Sequence, residues 1–199
     1  MGNESLNLAL KEWAVTIKAL DEGKQILLLR KGGIREQGKD FRVIYPQFLL
    51  YPTYEHQKDY LLKEPYQTDL ARVLTQNPGE GVFTVSHWAQ VEAAFEVMEQ
   101  DRVDALSPHF IWTTDYAQKR LYWKPRKPLS IMLLRVYRLE ESRTLPVLDE
   151  YVGCKSWVNL AEDVPLGHYT PVLDDREFQR QVETLDGVLG DAVRAKVPA

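Results

Sequence analysis

The densest chemistry in this 199-residue sequence lies at residues 118–127, Gln-Lys-Arg-Leu-Tyr-Trp-Lys-Pro-Arg-Lys. Lys119, Arg120, Lys124, Arg126 and Lys127 supply five cations, no acid interrupts them, and Tyr122 and Trp123 sit among them. That composition suits single-stranded nucleic acid or a nucleotide: cations pair with phosphates while rings stack on bases. The plain structural alternative is a solvated charged face with Trp123 filling a gap in the core. Arg30, Lys31, Arg35, Lys39 and Arg42 form a second basic region around a glycine loop. The candidate nucleic-acid contacts are therefore Arg30, Lys31, Arg120, Trp123 and Lys124, with Tyr54, His109 and Trp112 as pocket walls.

Glu55 and His56, after Tyr51-Pro52-Thr53-Tyr54, are the candidate catalytic pair. A carboxylate beside an imidazole can act as a general base or, with a divalent metal, serve a nuclease-like hydrolase. Capping and a polar network are the structural alternative. His56, His87, His109 and His168 show no zinc-helix spacing, and the single Cys154 allows neither an internal disulfide nor a Cys-based zinc site. No metal site and no cofactor are predicted. His87 falls on the apolar side of a long alternating stretch and reads as a core histidine. Glu22-Gly23-Lys24 matches a nuclease tripeptide but occupies a turn, and Lys31-Gly32-Gly33-Ile34 lacks the rest of a phosphate loop.

These groups need a scaffold. Leu6–Lys11 is predicted to be a short helix, with Trp13–Leu20 and Gln25–Arg30 following as a β-hairpin. Lys31–Asp40 reads as a mobile polar loop. Short strands are predicted over Phe41–Ile44 and Phe48–Tyr51, a helix start near Tyr54–Gln57, and a further helix over Pro65–Leu74. Phe83–Val97 alternates with a period of two and reads as one long curved strand, the alanines at 93 and 94 marking a bulge. Thr113 caps a helix to about Leu121, and Leu129–Leu139 is a second long strand. Tyr151–Leu160 reads as extended, and Asp174 and Asp175 open a helix. The order is α+β, with a strongly bent, mostly antiparallel sheet or small partly open barrel flanked by helices. Residues 1–190 read as one domain and 191–199 as a frayed tail.

Composition bounds the rest. The chain is 44% hydrophobic and 27% charged, and 25 Lys+Arg against 29 Asp+Glu leave a net charge of −4. That excludes fibrous and wholly disordered classes and argues against sequence-blind coating of DNA, while permitting a local site. No stretch approaches the roughly 20 apolar residues of a membrane span. With no secretory pattern at the N-terminus, a cytoplasmic location is expected.

Several blocks together resemble DUF1802, a family of bacterial proteins of unknown function. They are Lys11-Glu12-Trp13-Ala14, Ile26–Ile34, Phe48–Gln57, His109–Thr113, Arg120 with Trp123-Lys124-Pro125, Leu133–Tyr137, and Tyr151 with Gly153–Trp157. The resemblance implies no established activity and leaves a protein-interaction module open beside nucleic-acid recognition and hydrolysis. A more distant similarity is to PUA-like barrels of the ASCH and EVE type. It implies a nucleotide pocket bordered by a Gly-Lys turn and a strand ending in arginine, approximated here by Gly23-Lys24 and Arg30. The sequence departs from that pattern in lysine spacing and in having Leu28 where an acid is expected.

Overall fold

The computed structural model describes residues 4–31, 45–153, 155–195 and 197. The loop and strand predicted over residues 32–44, with Arg35, Lys39 and Arg42, lie outside the described residues, as does Cys154.

Strand β1 (Ser5–Trp13) occupies the segment expected to be a helix. Leucine, alanine and lysine favour helix locally. The chain is extended instead because it finds partners on both sides, parallel to β3 (Gln47–Thr53) and antiparallel to β6 (Trp157–Pro165). Leu8 and Leu10 then enter one core and Ala9 the other, as the strand period requires.

The opposite correction applies to Trp13–Leu20, most of which is helix α1 (Ala14–Asp21). Six of its residues are buried, so the run is apolar nearly all round and carries no period to separate strand from helix. The Gln57 side-chain carbonyl finishes its N-terminus, accepting from Val15 N at 3.0 Å. A cap supplied from so far along the chain leaves no local signature. The expected hairpin is absent, and β2 (Leu27–Arg30) pairs antiparallel with β5 (Leu129–Pro146) instead.

Among the described residues the strands make one open, mixed, mostly antiparallel sheet in the order β2-β5-β4-β3-β1-β6, where β4 is Val82–Val97. Two short strands join it, β7 (Tyr169–Pro171) on β5 and β8 (Val193–Ala195) on β4. Part of the segment expected to fray is therefore paired.

The long β4 is a strand, as its alternation predicts. Its register against β5 shifts between Val91 and Ala93, at the alanine pair, and again between Val85 and His87. The second shift has a packing consequence. Phe83 and Val85 point into one core, whereas Ala89, Val91, Phe95 and Val97 point into the other. An unbroken odd-numbered pattern in the sequence thus serves both faces of the sheet.

Helices α2 (Glu64–Thr75), α3 (Gln100–Ala105), α4 (Thr114–Tyr122) and α5 (Asp175–Leu189) complete the α+β fold. Phe178, Val182, Leu185 and Leu189 bury one stripe of α5 in the larger core. Asp174 accepts from Glu177 N at 2.8 Å and starts that helix, as the sequence indicates. Tyr54–Gln57 is a turn rather than a helix start, and 155–156 precede β6 without regular structure. No helix among the described residues is long and apolar enough to cross a membrane.

Candidate nucleic-acid interface

Helix α4 carries the basic segment. Its N-cap is Thr113, whose hydroxyl oxygen accepts from Tyr116 N at 3.3 Å, and Ala117 and Leu121 anchor it in the core. One turn apart on its inner side stand Tyr116 and Arg120, the arginine donating through Nε and Nη2 to the Tyr116 hydroxyl at 2.9 and 2.6 Å.

An interior cluster forms around that tyrosine. Arg30 Nη2 donates to Glu12 Oε2 at 2.7 Å and to the Lys11 carbonyl at 2.8 Å. The side chains of this ion pair are 13% and 11% exposed. Trp13 and Trp112 flank Tyr116 with ring centroids 5.4 and 5.9 Å away. Burial raises the Tyr116 phenol, and the Arg120 charge opposes that rise. Arg30, Arg120 and Trp112 do converge as a group, but Trp112 is 3% exposed and belongs to the core rather than to an open pocket. Glu12 and Tyr116 complete the cluster and were not singled out from the sequence. The four-residue spacing of Tyr116 and Arg120 was the available sign. Leu28, two residues before Arg30, is fully buried, and the carboxylate that pairs with Arg30 comes from Glu12 on β1.

The shoulder at the C-terminal end of α4 differs. Tyr122 and Trp123 are 56% and 53% exposed. With Asp115, Gln118 and Lys119 they line an open groove of about 420 Å³. The Lys124 ammonium lies 4.5 Å from the Trp123 ring centroid. Lys124 has φ of 59°, a left-handed conformation that costs a non-glycine residue roughly 1–2 kcal/mol. Tyr122 Oη donates to Gln100 Oε1 at 2.6 Å and fixes one wall. The alternative of Trp123 filling the core does not hold.

Lys31 is a correction to the predicted contact set. It is 3% exposed, and its ammonium donates to the carbonyls of Leu121 and Lys127. A group so enclosed is not a phosphate contact.

Glu55 and His56 sit on an exposed turn, their side chains 89% and 87% accessible and 3.9 Å apart. His56 has φ of 62°. Among the described residues no three His, Cys, Asp or Glu side chains gather into a metal donor set, so this pair has no third ligand there. His109 lines a separate hollow of about 260 Å³ with Lys24, Arg180, Gln181 and Thr184, and neither Tyr54 nor Trp112 borders it. Burial, then the charge of Lys63, lowers the His109 pKa. Tyr54 packs half-buried against the larger core. His87 is a satisfied core histidine as read from the sequence, with Nε2 2.7 Å from Asp21 Oδ1 and Nδ1 2.9 Å from Ser86 Oγ.

No curated protein matches this sequence. The crystal structure of ASCH from Zymomonas mobilis aligns over 96% of this chain and 97% of its own, with 14% identity and a TM-score of 0.37. A point-mutant structure of ZmASCH from the same organism aligns over 89% and 94%, with 16% identity and a TM-score of 0.37. The family described as "Domain of unknown function (DUF1802)" matches residues 9–184, the span that contains every element described above from the middle of β1 into α5, and the chain belongs to that family.

Proposed function

We propose that the α4 shoulder recognises single-stranded nucleic acid or a nucleotide. The observation that carries this reading is that two half-exposed aromatic rings, Tyr122 and Trp123, line one open groove with Lys119, while the Lys124 ammonium lies over the Trp123 ring. Rings presented to solvent can stack on bases at about 1–3 kcal/mol each, and the flanking ammonium groups can meet phosphates. Asp115 and Gln118 on the groove wall offer an acceptor and a donor to base edges. Arg126, exposed beyond the shoulder, extends the positive path.

A metal-dependent hydrolase built on Glu55 and His56 has less support, because that pair stands on an exposed turn without a third donor among the described residues.

Fluorescence anisotropy with single-stranded oligothymidylate tests the recognition reading. Binding should weaken steeply between low and moderate salt, and Trp123→Ala should lower affinity about tenfold, the loss of one stacked base. Absence of binding by the unaltered protein at low salt removes this function.

A further inference from the structure

Trp123 and Lys124 belong to a short bridge between the end of α4 and the start of β5, and what fixes that bridge comes from another element. Lys31 follows the last residue of β2 and is 3% exposed. Its ammonium donates to two carbonyls, Leu121 O in the last turn of α4 and Lys127 O just before β5. One cation therefore holds both ends of 121–127. Within the bridge, Trp123 N donates to Lys119 O at 3.0 Å and Lys127 N to Lys124 O at 2.9 Å. The left-handed Lys124 lies between the two pinned carbonyls.

The chemistry explains why a lysine stands here. Carbonyls in the last turn of a helix lack intrahelical donors, and the negative end of the helix dipole favours a cation. Three ammonium protons can satisfy two such oxygens at once. Burying an ammonium is costly without compensation, so a short loop closed on it gains strength only while both carbonyls stay in place. The same device recurs at Lys63, whose ammonium donates to Ser107 O and Phe110 O on a turn that does not border the Trp123 groove. The molecule thus contains its own control.

We propose that Lys31 is a positioning residue for the α4 shoulder: it does not contact the ligand but holds the 121–127 bridge so that Trp123 lines the groove with Lys124 against its ring. This rests on the recognition reading above and assigns it a regulator outside the groove.

Amide hydrogen exchange and oligothymidylate anisotropy, measured together on the full chain, test the proposal. In Lys31→Met, amides of 122–127 should exchange at least about tenfold faster while β4 and β5 amides stay protected, and affinity should fall about tenfold, the scale of one charge-assisted hydrogen bond. Lys31→Arg, which keeps the charge and its donors, should restore much of both. Lys63→Met should leave affinity unchanged if it folds. Faster bridge exchange in Lys31→Met with undiminished affinity overturns the positioning role, as does lost affinity with the bridge still protected. If Lys31→Met does not fold, Lys31→Arg carries the test: bridge exchange and affinity must change together or not at all, and a change in one alone refutes the proposal. If the unaltered protein binds no oligonucleotide, the recognition reading fails and the positioning role fails with it, whereas the exchange measurement still reports separately whether Lys31 clamps the bridge.

Discussion

On its inner side, α4 presents an arginine and a tyrosine that spend their hydrogen bonds on each other, beside an ion pair between Arg30 and Glu12 and two tryptophans. At its C-terminal shoulder a similar set of rings and cation differs: Tyr122 and Trp123 stand half or more in solvent, and Lys124 is exposed. The inner group tightens the junction of β1, β2 and α4; the shoulder has surface left to offer a ligand. Residue type therefore did not separate structure from recognition in this chain. What separated them was whether water reached the rings and the charges beside them.

Trp112→Ala should break the inner group most severely, at about 3–5 kcal/mol of unfolding free energy in urea denaturation, because a large indole leaves the core. A loss below about 1 kcal/mol would mean that this region is looser than its burial indicates. Glu12→Ala should cost about 3 kcal/mol by the same measurement, since it strands the Arg30 guanidinium among buried neighbours. Double substitution with Arg30→Met should recover part of that loss, and a strictly additive result would deny the pairing.

A third cluster of partly exposed charge lies between these extremes. Burial pushes the Asp21 carboxyl up, but hydrogen bonds and charge from His87 and Arg138 outweigh it and hold it at about 2 in the folded protein. Its pKa is lower folded than unfolded, so its contribution is complete above the ordinary value near 3.8 and fades as the pH falls toward about 2. Urea midpoints should report about 1 kcal/mol of acid-labile stability there, reduced by solvent screening, and Asp21→Asn should remove that pH dependence. At the bottom of the scale, Glu55→Gln with His56→Ala should shift stability by less than about 0.5 kcal/mol and leave oligonucleotide affinity unchanged. A large effect of either kind would move the functional centre to that turn.

The sequence was most legible where one local signal decided the outcome. Thr113 and Asp174 announced helix starts, and the long alternation of Phe83–Val97 announced a strand. It misled at Leu6–Leu20, where helix-favouring residues form a strand and β-branched residues form a helix. In both segments the deciding partners are distant, β3 and β6 for β1 and the Gln57 side chain for α1. The candidate site divides in the same way. The cation and ring content of 118–127 was plain from composition, whereas the burial of Lys31 and Trp112 was not.

Composition and spacing alone determined the α+β class and the identity of the basic, aromatic segment, because these depend on residue types within a few positions of each other, and the family was legible only as a resemblance of short sequence blocks. Tertiary structure alone decided that Arg30 is paired to Glu12, that Lys31 faces carbonyls and that Trp123 faces solvent. Those outcomes depend on which distant groups reach a polar atom before water does, and neighbouring residues carry no record of that competition.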